Sequence, residues 1–257
     1  NFMTNQATLI INAAIVNEGK ITEEDVLIKN GRIETIGVNI SAPNSLEVID
    51  ANGKLLLPGL IDDQVHFREP GLTHKGGIRS ESMAAIAGGV TSFMDMPNVD
   101  PPTLTRELLL QKYEIARGKA HANYAFYMGS SNDNIDEIKS LQAGDACGVK
   151  IFMGASTGNL LVDDDNALNN LFKESPVIIT THCEDTPMIK SMEKEFLAKY
   201  GEKIPVDMHA EIRSRDACIK STKKAIELAE KHGSNLHVLH LTTADEVSLF
   251  SNKSLDE

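Results

Sequence analysis

Gly59-Leu60-Ile61-Asp62-Asp63-Gln64-Val65-His66 opens an alternation that sets the architecture of the chain. This apolar run, of strand length, is followed by an amphipathic helical segment at residues 80–87. A second run follows, Val90-Thr91-Ser92-Phe93-Met94-Asp95-Met96. The pattern continues with strand candidates at residues 122–128, 148–153, 177–182 and 236–241. Amphipathic segments such as 105–117, 185–199 and 216–232 lie between them. Strands that alternate with helices imply a parallel sheet with right-handed crossovers, either an open doubly wound sheet or a (β/α)8 barrel. Six strand–helix units can be counted. A closed barrel takes about eight strands and about 250 residues, and residues 58–257 amount to roughly 200. Either the sheet is open or the chain stops before the barrel closes.

Residues 8–57 have a different texture. Runs at 9–16, 25–29, 32–38 and 46–49 are rich in Ile and Val, and Asn17-Glu18-Gly19, Asn30-Gly31 and Asn52-Gly53 punctuate them. Asn-Gly between two apolar runs is a strong hairpin signal, so this part reads as a small all-β module.

Composition narrows the function classes. The 257 residues include 25 basic and 37 acidic side chains, a formal net charge of −12, and 41% of them are apolar. The length is enough to bury a sizeable core. The acidic balance argues against nucleic acid or an anionic membrane surface as a partner, since both call for clustered Lys and Arg. No stretch approaches the roughly 20 apolar residues of a membrane span. Residues 1–7 are polar and lack the basic-then-apolar layout of a signal peptide. Asn1 and Phe2 precede Met3 and are set aside as tag residues. Cys147, Cys183 and Cys218 are widely spaced and form no CxxC, which fits a reducing cytoplasm.

Polar residues at strand C-termini are the candidates for chemistry, because α/β folds place their sites there. The first strand of the alternation ends in Asp62-Asp63-Gln64-Val65-His66-Phe67-Arg68-Glu69-Pro70-Gly71. Residues two apart share a face, so Gln64 pairs with His66, and Asp62 with Arg68. The second strand ends in Met94-Asp95-Met96-Pro97-Asn98, the fourth carries Lys150, and the fifth ends in His182-Cys183-Glu184. His237 and His240 on the sixth are three apart, so only one can face a shared site. Taken singly, each histidine reads better as a hydrogen-bonded structural residue; three at strand ends, with a lysine in an apolar strand, bring a divalent metal with N/O ligands level with that reading. Lys150 lies in an otherwise apolar strand. A buried ammonium without a counter-ion is costly, so this lysine either snorkels to the strand end or is converted to an anionic carbamate. Residues 154–159 form a Gly-containing loop without the GK[ST] ending of a phosphate loop. Cys183 alternates away from His182 and reads as a core thiol. His74, His121, His209 and His232 read as surface or capping residues, and Lys223-Lys224 as a solvated helix face.

Together, Pro58-Gly59-Leu60-Ile61-Asp62, Val65-His66-Phe67-Arg68-Glu69-Pro70-Gly71, Asp95-Met96-Pro97-Asn98, Lys150-Ile151-Phe152, His182-Cys183-Glu184 and Val238-Leu239-His240-Leu241-Thr242-Thr243 resemble the amidohydrolase superfamily over essentially the whole chain. Within it the sequence is most similar to dihydroorotases of the class that resembles hydantoinases and allantoinases. The resemblance implies a metal-bearing (β/α)8 barrel over residues 58–257, incomplete at its C-terminal end, and a small β-sandwich to which residues 1–57 contribute strands. It implies His66, Lys150, His182 and His240 as ligands of one or two zinc ions, with Lys150 carboxylated and bridging, and Arg68 and Asn98 gripping a substrate carboxylate. The implied reaction is the reversible cyclisation of N-carbamoyl-L-aspartate to L-dihydroorotate, a step of pyrimidine biosynthesis. The expected partner is a small carboxylated substrate, with no nucleic acid or membrane, in a cytoplasmic homodimer. Allantoinase or hydantoinase activity is the neighbouring expectation; a non-catalytic subunit scaffolding another enzyme is the alternative of a different class. Two departures stand out. Gln64 occupies the first position of the family's HxH. The family's metal-proximal acid on the eighth strand has no counterpart before residue 257, so the chain is expected to be part of a longer protein.

Overall fold

In the computed structural model the described residues are 7–41, 47–154 and 158–251. Leu46, the start of one expected strand, and residues 155–157 of the Gly-containing loop lie outside them. The chain divides into two compact units, Asn1–Leu60 and Ile61–Glu257.

The first unit is a sheet built on one long strand, β1 (Ala7–Asn17). β2 (Lys20–Lys29) returns antiparallel after the two-residue turn Glu18-Gly19, with φ of 48° and 72°. β3 (Arg32–Gly37) follows Asn30-Gly31, with φ of 52° and 73°. Two successive left-handed residues match the twist of a hairpin, which is why Gly takes the second position of both turns and Asn the first position of the second turn. Asn52-Gly53 behaves differently from the hairpin its sequence signals. β4 (Glu47–Asp50) and β5 (Leu55–Leu56), on either side of it, both pair with β1 in parallel. The reason lies in β1, whose register with β2 shifts between Ile10 and Ala13, where Asn12 has φ 54°. Its carbonyl accepts from the Gly53 N–H at 2.8 Å, and its side-chain amide donates to Asp50 Oδ1 at 3.0 Å. The turn therefore carries the chain past a bulge and returns it to the same edge. Ala13, Ile15 and Val26 form the small core.

The second unit alternates strands and helices in the order β6 (Leu60–Val65), α1 (Ile78–Ala87), β7 (Val90–Asp95), α2 (Arg106–Ala116), β8 (Asn123–Gly129), α3 (Ile135–Lys139) and β9 (Gly148–Phe152). It continues with α4 (Asp165–Glu174), β10 (Ile179–His182), α5 (Thr186–Tyr200), α6 (His209–Ile212), α7 (Arg215–His232), β11 (Leu236–Val238) and α8 (Ala244–Val247). The six strands neighbour one another in strict chain order from β6 to β11. Helix starts are set by side-chain caps: Thr105, Asp164, Asp185 and Ser214 accept from the N–H groups of Leu108, Ala167, Met188 and Ala217. The last strand is shorter than the expected 236–241. His240 adopts φ 39° and turns the chain away from the ladder.

In a flat sheet the outer strands β6 and β11 would lie roughly 24 Å apart at about 4.8 Å per ladder. Instead His237 Nε2 on β11 lies 3.6 Å from Asp63 Oδ2 on β6. The Tyr127 hydroxyl of β8 donates to the Asp63 carbonyl at 3.0 Å. The sheet is therefore strongly curled, six strands of a (β/α)8 barrel, and the open doubly wound alternative is set aside. Met96, Tyr127 and Leu239 cluster on one side of the sheet. Phe93, Phe126, Val149, Ile151 and Ile179 pack with Leu109, Leu168, Phe172 and Leu228 of the helices. Each such side chain contributes about 1.5–3 kcal/mol on burial. All five residues of β9 are buried, as in a strand covered on both faces.

Candidate active site

Two groups of candidate residues form at the strand C-termini. The first joins the ends of β6 and β7. His66 Nδ1 lies 2.9 Å from Asn98 Oδ1, and Arg68 Nη1 donates to the Asn98 carbonyl at 2.9 Å. An amide oxygen only accepts, so this contact places the proton on His66 Nδ1. That leaves Nε2 with its lone pair, and among the described residues the Asn98 amide N–H groups have no acceptor. Burial pushes the His66 pKa down, and the Arg68 charge pushes it further. Arg68 has φ 60°, a left-handed backbone unusual for a long side chain.

The second group joins β10 and β11. His182 Nδ1 and His240 Nε2 are 3.1 Å apart. The other nitrogen of His182, Nε2, contacts Glu184 Oε2 at 2.6 Å, and Arg213 binds both oxygens of the same carboxylate, its Nε donating to Oε1 at 2.7 Å. Burial alone would raise the Glu184 pKa, but the hydrogen bonds from His182 and Arg213 outweigh it and hold the carboxyl at about 2. Glu184 thus stays ionised and accepts from His182 Nε2–H, which directs the Nδ1 lone pair toward His240. The His240 pKa is lowered by burial first, and then by the charges of His182 and Lys150.

Lys150 sits between the groups on β9, paired with Gly129 of β8 and Thr180 of β10. It is 1% exposed, so it does not snorkel. Its Nζ packs 4.7 Å from the Phe152 ring centre, and among the described residues no carboxylate lies within ion-pairing distance. Burial lowers its pKa to about 7. Its charge acts on both His66 and His240.

The spacing of these donors suits a metal. Two imidazole nitrogens 3.1 Å apart match two ligands about 2.05 Å from a tetrahedral zinc, whose mutual spacing is roughly 3.3 Å. Among the described residues no group of three or more His, Cys, Asp or Glu is assembled for a metal. Lys150 lies on β9, the strand next to that of His182, and its charge acts on His240. The Gln64 side chain makes no hydrogen bond to any of these residues among those described, and its backbone N–H donates to Asp62 Oδ1 at 3.1 Å.

A match to the amidohydrolase family runs from residue 55 to residue 250. The chain belongs to this family. It is 34% identical over 243 residues to a dihydroorotase of Methanosarcina mazei, covering 93% of this chain and 52% of that protein. It is 33% identical over 240 residues to an allantoinase of Bacillus velezensis, covering 91% and 52%. The solved structure of L-hydantoinase from Arthrobacter aurescens superposes with a TM-score of 0.88 at 28% identity, covering 94% of this chain and 54% of that one. The chain thus spans about half the length of the relatives it matches.

Other expectations fall into place around this amidohydrolase frame. Cys183 is buried in the main core, its Sγ 3.2 Å from the Thr181 hydroxyl. His232, the last residue of α7, places Nε2 3.2 Å from Asn169 Oδ1 on α4. His240, not His237, faces His182. Two features escaped sequence reasoning. Arg213 follows the short helix α6 and looked like an ordinary surface residue. Lys112 lies on α2, where a lysine in an amphipathic helix reads as solvated; it is 1% exposed and 2.9 Å from Asp95 Oδ2. Its only sequence signal was Asp95, an acid in an apolar strand that required a partner.

Proposed function

We propose that the chain is the metal-binding portion of a dihydroorotase, which interconverts N-carbamoyl-L-aspartate and L-dihydroorotate. The observation that carries this reading is the junction of Arg68 and Asn98. Arg68 spends one N–H on the Asn98 carbonyl and keeps the remaining donors of its planar fork. With Asn98 Oδ1 engaged by His66, the amide N–H groups are left as a second donor. Two such groups at a strand end suit a ring substrate with a free carboxylate. Dihydroorotate has one, and hydantoin and allantoin do not.

His182 and His240, each presenting a nitrogen to the other, are the residues proposed to hold zinc, with carboxylated Lys150 and with His66 through Nε2. Carboxylation joins the neutral lysine amine to the carbon of carbon dioxide with loss of one N–H proton, and burial favours that neutral amine. Zinc, when bound, supplies Lewis acidity and a water acidic enough to react near neutral pH. The chain's own side chains do the rest: Arg68 and Asn98 orient the substrate by its carboxylate, and Glu184 with Arg213 keeps His182 in one tautomer. Gln64 replaces an imidazole with a far poorer donor, which favours a single well-held ion on the His182–His240 side.

The test is activity and metal content of the full-length protein reconstituted with zinc and bicarbonate. The expected result is turnover of dihydroorotate with little on hydantoin or allantoin. The reverse preference would reassign the chain to its hydantoinase-like relatives. Failure to retain zinc would remove the metallohydrolase reading altogether.

A further inference from the structure

Two of the most deeply buried charged residues of the second unit take no part in the chemistry above. Lys112 of α2 and Asp95, the last residue of β7, are 1% and 0% exposed, and Lys112 Nζ lies 2.9 Å from Asp95 Oδ2. Among the described residues that oxygen has no hydrogen bond of good geometry, so the contact is held by charge. A buried pair of this kind is expensive in desolvation, and an apolar pair of similar volume would pack a strand–helix junction at less cost. What the pair does beyond packing is visible in its other bonds. Asp95 Oδ1 accepts the Phe67 N–H at 3.0 Å, and Lys112 Nζ donates to the Met96 carbonyl at 2.8 Å. Phe67 sits between His66 and Arg68, and Met96 lies two residues before Asn98. The pair therefore grips the backbone on both sides of the Arg68–Asn98 junction, where the strands have ended and ladder bonds run out after Met96 N–H to Val65 O at 3.0 Å. Arg68, with its left-handed backbone, is poorly placed to hold that position by itself.

We propose that Lys112 and Asp95 are positioning residues for substrate recognition: the buried pair sets the spacing of Arg68 and Asn98 by tying Phe67 and Met96 to one charged centre. The proposal rests on the carboxylate-grip reading of those two residues. It predicts a loss confined to substrate binding when the pair is exchanged for apolar residues.

The experiment compares full-length wild type with the double variant Asp95→Leu/Lys112→Met. Melting temperature, zinc content, kcat and KM for dihydroorotate are measured for each. The double variant is expected to melt within a few degrees of wild type and keep its zinc. Its KM should rise about tenfold while kcat stays within about threefold, since displacement of a binding group without loss of chemistry shows in KM. An unchanged KM in a folded, zinc-loaded double variant overturns the proposal, as does a fall in kcat without a rise in KM. Should the double variant not fold, Asp95→Asn keeps an acceptor for Phe67 but weakens the pair. A KM rise of about threefold then supports the proposal, and none overturns it. The two readings fail separately. Wild type inactive on dihydroorotate sinks the functional assignment and this role with it, whereas active wild type with an unaffected variant sinks this role alone.

Discussion

Lys150 shows how burial changes the chemistry of one side chain. Enclosed in β9 with no carboxylate partner among the described residues, its amine is driven toward the neutral form that reacts with carbon dioxide. Native mass spectrometry in bicarbonate is expected to show a carbon dioxide adduct that disappears in Lys150→Met, together with loss of zinc. Persistence of the adduct in that variant would place the modification elsewhere. Arg68 lends itself to an equally direct check. A charge-assisted hydrogen bond to a carboxylate is worth about 1.5–3 kcal/mol, so Arg68→Met should raise KM for dihydroorotate roughly 10–100-fold. A smaller effect would separate Arg68 from the substrate. The sequence marked both residues because each is chemically out of place, a lysine in an apolar strand and an arginine just past a strand end. It could not mark Lys112 or Arg213. Both look like ordinary surface cations until folding brings Asp95 and Glu184 against them.

Among the elements, the buried strands were legible because parallel strands covered on both faces read as continuous apolar runs, and β9 is the extreme case. Partners were less legible. Asn30-Gly31 joins strands that are sequence neighbours, so local chemistry suffices. Asn52-Gly53 has the same chemistry, yet its flanking strands pair with β1, some forty residues earlier, and no local pattern encodes that. Caps carry measurable weight at this scale. Asp185 opens α5 by accepting from Met188 N–H and also pairs with Lys220. Burial would raise its pKa, but these two partners prevail and lower it from 3.8. A depressed carboxylate contributes stability above its ordinary pKa and loses it as pH falls through the lowered value. Asp185→Asn is therefore expected to flatten the decline of melting temperature below pH 3.8; an unchanged acid limb would contradict the capping account. Gly71 is a second sensitive point. With φ 79° and the Asp100 carbonyl 2.1 Å from where a Cβ would stand, Gly71→Ala should destabilise by at least about 1 kcal/mol, read by denaturant titration. An equally stable variant would mean that the loop has room to move.

For the molecule as a whole, the proposed metal would be a large lever on stability. An ion that binds the folded chain alone stabilises it by about 2.7 kcal/mol at a hundred times its dissociation constant, which for a chain of this size is roughly 5–10 °C in melting temperature. Chelation should lower the melting temperature of the zinc-loaded protein by that amount and leave His182→Ala unaffected; equal shifts in both would place the metal elsewhere. The curl of the sheet was expected from the resemblance to a barrel family and not from periodicity, which counts strands but does not say how far a sheet bends. It became visible through Asp63, Tyr127 and His237, whose contacts no local rule foretells. The strict chain order of β6 to β11 has a consequence in time. During synthesis each new strand leaves the ribosome with its one neighbour already laid down, so the sheet can grow one unit at a time without waiting for distant sequence.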